Sequence, residues 1–411
     1  MIDYPRKVGF SRRHKRLLQK TVIDENGPGT VLHDFEAFLT FVQERELPLT
    51  GMHQLPRRTL PEINTRLARP LQIGLTRPLQ KSYPHIHGLY LLLRASGLTV
   101  VRGTDRKPRL VVDGAVRRDW DGMNPTERYC TLLETWLVRG HPQIVGEESH
   151  GWLHILQTFH QVQLFFLRLP GGGLPVAGNK NAEGSLRYRP GLHNLALLEL
   201  FGLVAVRHGP PEPGKGWRIE RVERTPLGDA LLAALHAGFF GDVDNLLALE
   251  SNDPLPFGVL QPALQPYFPA WQKNLSLPEW ASREGAHVFI VSLGRIWRRI
   301  ALPARLTLDD LASAILNSVR FDQDHLYQFS YRSRFGTEEQ VQHPYMDEGP
   351  WTSEMSIGDV PLRVGQTMTF LFDFGDMWEF GVTLERVDPE MAIGKPVVLE
   401  KHGNPPEQYG G

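Results

Sequence analysis

The sequence predicts an α+β protein, with a mainly helical front half and a C-terminal curved antiparallel β-sheet carrying packed helices. Three observations lead there. First, Met368–Val387, MTFLFDFGDMWEFGVTLERV, reads as two strands and a turn. The incoming run is apolar and aromatic (Met368, Phe370, Leu371, Phe372, Phe374). On the way out Trp378, Phe380, Val382 and Leu384 alternate with Glu379, Gly381, Thr383 and Glu385, the period-two pattern of a half-buried strand. Gly375-Asp376 supplies turn residues between them. Second, the front half contains an internal repeat offset by about a hundred residues. Third, a Pro- and aromatic-rich stretch, Ser251 to Trp280, separates the two halves.

At 411 residues the chain is long enough for several domains. Five segments are expected: a basic arm and helix at 1–49, repeat units at 50–150 and 151–250, a linker at 251–284, and the sheet domain at 285–411. Net charge is −1, but residues 1–140 hold 23 Lys and Arg against 14 Asp and Glu, so the remainder carries −10. A basic front joined to an acidic end points to an anionic partner at the front. Cys130 is the single cysteine, which excludes an intramolecular disulfide or a Cys-based zinc site and fits a reducing cytoplasm. The N-terminal stretch lacks an apolar run after its charges, and the longest apolar runs are too short for a membrane span. A cytoplasmic protein with no membrane partner is expected.

The first segment is strongly basic: Arg6, Lys7, Arg12, Arg13, Lys15, Arg16 and Lys20. It reads either as a nucleic-acid contact or as a solvated arm. Asp34–Arg45 is an amphipathic helix, with Phe35, Phe38, Leu39 and Val42 on one stripe. TLPEINTRLARPL is a short helix, opened by Pro61 and closed before Pro70. The repeat then begins. Leu91–Gly103 and the stretch from Leu197 each start as a helix, stop at a glycine suited to a left-handed cap (Gly97, Gly202) and enter a strand. Each has a turn-rich tip, Thr104–Pro108 or Pro210–Gly216, then a returning strand and a Pro-initiated helix, NPTERYCTLLETWLVRG or TPLGDALLAALHAG.

Helix, strand, wing, strand, helix is the plan of a winged helix, so two winged-helix-like units are expected. In many such units the helix before the wing reads DNA. Here HNLALLELF is apolar nearly all round, as a buried helix is, and the earlier helix from His85 offers only His85, His87, Tyr90 and Arg94 among leucines. The better phosphate contacts are Arg106, Lys107 and Arg109 of the first wing, with Arg117 and Arg118 nearby. Leu164–Gly184 is Gly-rich without phosphate-loop spacing and is expected to be a loop or long wing.

Asp373-Phe374-Gly375 lacks the Gly-rich loop and His-Arg-Asp segment of a kinase, so it reads as turn chemistry. No nucleophile elbow is present, and Cys130 on an apolar helix reads as an inert buried thiol. His85-x-His87 would share a face on a strand but diverge on a helix, the expected state, so no metal site is assigned there. Asp322, Asp324, His325, Asp373, Asp376 and Glu379 could hold a divalent ion only if the fold brings them together. No cofactor is expected.

From about His287 to Gly411 the chain resembles the plasmid pRiA4b ORF-3-like family. Four pieces carry the resemblance in order. They are the strand pair around Ile296-Trp297-Arg298-Arg299-Ile300; the helix LTLDDLASAILNSV followed by Asp324, His325, Leu326, Tyr327 and Phe329; the hairpin with Asp373, Gly375, Asp376 and Trp378; and the tail with Pro405, Pro406 and Glu407. Gln408 stands where the family usually has an acid. The resemblance implies an α+β domain with a curved sheet and one or two helices on a face. It implies no reaction.

The resulting expectation is a non-enzymatic, nucleic-acid-associated protein of mobile-element or regulatory biology. Double-stranded DNA would be bound through Arg12, Arg13, Lys15 and Arg16 of the arm and through Arg106, Lys107 and Arg109. Two alternatives stand beside it: an adaptor that docks a protein partner on winged-helix scaffolds, and a metal-dependent enzyme using the acids near the C-terminal hairpin.

Overall fold

The computed structural model describes residues 9–104, 106–147, 154–242, 244–245 and 255–409. Arg6 and Lys7 of the basic arm, Asp105 of the first wing, Pro254 of the linker, and Gly410 and Gly411 lie outside the described residues. The chain divides into two compact units, Met1–Val100 with Leu110–Leu277 and Val101–Arg109 with Pro278–Gly411. Helices concentrate in the front half, and the C-terminal part is built on a seven-stranded antiparallel sheet, so the α+β class holds.

In the front unit α1 (Arg12–Lys20) starts at a reciprocal cap: the Ser11 hydroxyl accepts the His14 N–H, and His14 Nδ1 accepts the Ser11 N–H. Next come α2 (Val31–Arg45), the two-residue β1 (Leu47–Pro48) and α3 (Leu60–Arg66). Phe35, Phe38, Leu39 and Val42 of α2 are all buried, so the apolar stripe faces the core.

The repeat follows. Its first copy is α4 (Pro84–Ala95), β2 (Thr99–Arg102), β3 (Arg109–Val112), α5 (Gly114–Asp121) and α6 (Pro125–Glu134). Between the copies run α7 (His154–Arg168), β4 (Leu174–Pro175) and α8 (Lys180–Leu186). The second copy is α9 (Leu192–Leu200), β5 (Val204–His208), β6 (Ile219–Arg224) and α10 (Pro226–Leu235). The strands form two three-stranded sheets, ordered β1-β3-β2 and β4-β6-β5. Gly97 and Gly202 take φ of 75° and 72°, the left-handed cap that stops α4 and α9. At Gly202 a Cβ would also lie 2.7 Å from the Gly29 nitrogen.

Two sequence expectations change here. The first copy inserts α5, which the second copy lacks; the Asp113 carboxylate starts it by accepting the Ala115 and Val116 N–H groups. The Gly-rich stretch is not one loop, because α7 continues through Arg168 and α8 begins at Lys180, capped by the Asn179 side chain. The Pro/aromatic segment packs into the front unit up to Leu277. Leu260, Leu264 and Trp271 are fully buried. Glu134 accepts the N–H groups of Gly258, Val259 and Leu260, and Glu127 accepts those of Gln272 and Lys273.

In the second unit the strands are β7 (Ala286–Leu293), β8 (Ile296–Pro303), β9 (Tyr327–Arg332), β10 (Glu338–Gln342), β11 (Thr367–Phe372), β12 (Trp378–Asp388) and β13 (Val397–His402). Their order is β10-β9-β11-β12-β7-β8-β13. One helix, α11 (Leu308–Val319), supplies Leu308, Leu311, Ala312, Ile315, Leu316 and Val319 to a core shared with Phe289, Ile300, Phe329, Phe370, Phe380 and Val382 of the sheet. Thr307 and Asp310 form its capping box. Across β11 and β12, Phe370 faces Phe380 and Met368 faces Val382, so the alternation in the sequence sets which side chains enter the core.

The hairpin turn differs from expectation. Five residues, Asp373 to Met377, close it, and the left-handed residues are Asp373 (φ 58°) and Met377 (φ 56°), not Gly375. The Asp373 carboxylate accepts the Gly375 N–H at 2.8 Å, and its carbonyl accepts the Met377 N–H at 2.7 Å. Asp tolerates this backbone because its side chain closes the local turn. Phe374, placed at the end of the apolar run, is instead 39% exposed at the tip.

Candidate functional site

The basic residues of the arm lie on α1. Arg12, Arg13, Lys15, Arg16 and Lys20 are all exposed, and Leu18 is the one buried residue of the helix. At about 100° per residue the five cations cover about 160° of arc, with Leu18 and His14 on the opposite side. That side packs against α10. Among the described residues none of these five cations takes part in an ion pair with an acid; Lys15 instead lies over the Phe10 ring. Between β2 and β3, Arg106 and Lys107 are exposed, as is Arg109 at the start of β3. Arg117 behaves otherwise. Its guanidinium meets Glu36 at 2.6 Å and Asp121 at 2.9 Å and is largely enclosed, so its charge is neutralised within the fold. The helices that precede β2 and β5 are buried: every residue of α4 from Pro84 to Ala95 is, as are Leu195, Leu197, Leu198 and Leu200 of α9. Neither can enter a DNA groove.

The family-motif residues divide by role. Arg298 is 3% exposed and meets no carboxylate among the described residues. It donates to the carbonyls of Ser318, Trp297, His402 and Gly403, tying the end of α11 to β13. Trp297 stacks on His402 at 5.7 Å. Tyr327 is buried, donates to Asp309 and packs edge-on against His343. Burial first, then the Asp309 hydrogen bond, pushes its hydroxyl pKa well up. Trp378 packs on Phe321, with ring centroids 5.0 Å apart.

The acidic and His residues gather loosely at one rim. His325 Nε2 lies 3.5 Å from Asp373 and 3.7 Å from Asp324. Tyr409 donates to Asp324 at 2.7 Å, and that bond is the first cause lowering the Asp324 pKa. Gln408, at the family's usual acid, is buried; its carbonyl oxygen accepts the Asp322 N–H while its amide donates to Asp324 at 3.4 Å. A carboxylate could not make both bonds. Asp376 and Glu379 are exposed, as are Gly375, Pro406 and Glu407, while Pro405 is half-buried. Among the described residues, no three of these C-terminal acids and His325 bring ligand atoms within 4.8 Å of one another.

Such groups do form in the front unit. On helical α4, His85 and His87 diverge as expected, and each meets partners distant in sequence. His85 joins Glu199 of α9 and His208 of β5, and His87 joins Glu147 and His193. Sequence reading had only the His-x-His spacing to work with. Nothing local marks Glu199 as a partner except that it is an acid on a nearly all-apolar helix.

An uncharacterized protein, y4hQ, from Sinorhizobium fredii (strain NBRC 101917 / NGR234) is 29% identical over 120 residues, 28% of this chain and 60% of that protein. The chain thus spans less than two thirds of the length of this relative. A crystal structure of a protein of unknown function from Methanosarcina mazei Go1 is similar over 29% of this chain and 69% of that chain, at 23% identity and a TM-score of 0.27. Residues 292–411 match the family described as plasmid pRiA4b ORF-3-like protein, over the part of the chain that carries the four motifs.

Proposed function

We propose that the protein is a non-enzymatic, nucleic-acid-associated protein that holds duplex DNA by its phosphate backbone, in mobile-element or regulatory biology. The observation that supports this reading is α1. Five exposed cations on one side of a capped helix, none engaged by an acid among the described residues, form a surface suited to a polyanion. The exposed Arg106, Lys107 and Arg109 form a second basic group. Burial of α4 and α9 argues against base reading by a recognition helix, so contact with phosphates and weak sequence preference follow. Fluorescence anisotropy with labelled duplexes of unrelated sequence tests the proposal. Comparable binding that falls steeply with salt is expected, and no binding at low salt overturns it.

A second reading has one specific support. Leu326, Phe374, Met377 and Tyr409 are exposed apolar side chains around the acidic rim of the second unit. Such a surface suits a protein segment carrying apolar and basic residues. A partner recovered in a nuclease-insensitive pull-down, and lost with Phe374→Ser/Met377→Ser, would favour the adaptor reading over DNA.

A further inference from the structure

His85, Glu199 and His208 come from three elements and meet in the front unit. His85 Nε2 is 2.8 Å from Glu199 Oε2. His208 Nε2 is 2.9 Å from Oε1 and 3.1 Å from Oε2 of the same carboxylate. His85 and Glu199 are nearly enclosed, and His208 is 27% exposed at the open side. Trp217 packs edge-on against both imidazoles, at 4.9 and 5.5 Å, and so holds the two rings in place. The carriers are regular elements: the first turn of α4, the last turn of α9 and the end of β5. A site on such elements is preorganised.

We propose that these three residues bind a divalent transition-metal ion of the zinc class. Two imidazole nitrogens and one carboxylate form a borderline N₂O donor set, which suits zinc and disfavours magnesium or calcium, whose sites are built from oxygen. Three protein ligands leave a fourth position for water or an exogenous donor on the side where His208 reaches solvent. In the metal-free arrangement each imidazole Nε2 carries a proton toward Glu199. On binding, the ion takes the lone pair at each Nε2, and the single proton of each neutral ring shifts from Nε2 to Nδ1. His85 Nδ1 is buried without a hydrogen-bond partner among the described residues, so its lone pair is open to that proton. Arg69, 3.8 Å from Glu199 and largely exposed, is the one cation beside the carboxylate among the described ion pairs and is free to swing into solvent.

The neighbouring trio His87, Glu147 and His193 fails the same examination. Gln80 Oε1 accepts the Leu55 N–H at 2.7 Å, so its amide nitrogen must donate to His87 Nδ1, 3.0 Å away. Neutral His87 therefore keeps its proton on Nε2: unlike that of His85, its Nδ1 lone pair is already taken by the Gln80 amide and cannot receive the proton that a metal would displace. The two trios make an internal control.

The full-length protein, stripped with chelator, is titrated with zinc by calorimetry and with cobalt by visible absorption. One saturating equivalent is expected, with the intense absorption of a low-symmetry four-coordinate cobalt site. His208→Ala, at the partly exposed ligand, and the isosteric Glu199→Gln should each weaken binding by more than the ten- to hundredfold loss typical of an outer-shell partner. His193→Ala should leave it unchanged. Circular dichroism confirms that each variant is folded. No saturable binding by wild type, or binding that survives both ligand substitutions or depends on His193, overturns the proposal.

Discussion

Glu134 ties the Pro/aromatic segment to α6, and its protonation should set part of the protein's pH response. Its carboxylate accepts the N–H groups of Gly258, Val259 and Leu260 at 2.7, 3.3 and 3.3 Å. Burial outweighs these bonds and raises its pKa from the usual 4.5 to about 7. A carboxyl whose folded pKa is raised adds stability that is fully present below its unfolded value and is lost as pH rises through the folded one. For Glu134 that window runs from 4.5 to about 7. Integrated between pH 5 and 8, the linkage amounts to roughly 2–3 kcal/mol. Glu134→Gln keeps the carbonyl oxygen for Gly258 and Val259 but presents an NH₂ to the Leu260 N–H, a penalty independent of pH. Urea unfolding of both proteins at pH 5 and pH 8 isolates the carboxyl, because the buried histidines titrate equally in each. Wild type should lose roughly 2–3 kcal/mol relative to Glu134→Gln between the two conditions. A difference that stays flat would show that the three N–H groups hold the carboxylate ionised at its ordinary pKa, and the reasoning would fail.

Other outcomes follow from the same structure. Arg298→Ala removes the donor from four carbonyls, at the end of α11, on β8 and at the end of β13 and just beyond it, and should cost ~2–4 kcal/mol in thermal or urea unfolding, with Arg298→Lys intermediate; a change within ~0.5 kcal/mol would remove the strut. Gly202→Ala meets both a left-handed backbone and the Gly29 nitrogen, so it should cost more than ~2 kcal/mol; a neutral result would show that the α9 stop is not constrained. Gln408→Glu removes the donor to Asp324 and sets a second acid beside it. The Asp324 carboxyl, followed by NMR, should then titrate at higher pH than in wild type; an unchanged titration would mean that Gln408 does not shape the rim.

What could be read from sequence was what repeats over short distances. The β12 alternation gave the buried face of the hairpin because strand side chains alternate with period two. Gly97 and Gly202 marked the ends of α4 and α9 because few other residues take that backbone. The C-terminal motifs pointed to the domain, yet not to roles: Arg298 reads as a charge in sequence and proves to be a buried strut. The short α5 was hidden because it spans only eight residues, begins at Gly114 and carries Asp119 and Asp121, all poor helix formers. The identities at the turn misled, since Asp373 rather than Gly375 bears the left-handed strain. Least legible was the junction of His85 with Glu199 and His208. His85 lies more than a hundred positions from Glu199 and His208, and only packing of α4 on α9 brings it to them.

The central claim is that the exposed face of α1 neutralises phosphates. The most direct measurement is duplex DNA affinity against salt for wild type, for Arg12→Ala/Arg13→Ala/Lys15→Ala/Arg16→Ala, and for Arg106→Ala/Lys107→Ala/Arg109→Ala. Each phosphate contact adds about 0.9 to the slope of log affinity against log salt, so losing four contacts should lower its magnitude by about 3–4. The wing variant should lose less, and both should weaken binding to unrelated sequences alike. If the α1 variant keeps the wild-type slope and affinity, or wild type binds no duplex at low salt, α1 is a solvated helix and the claim is contradicted.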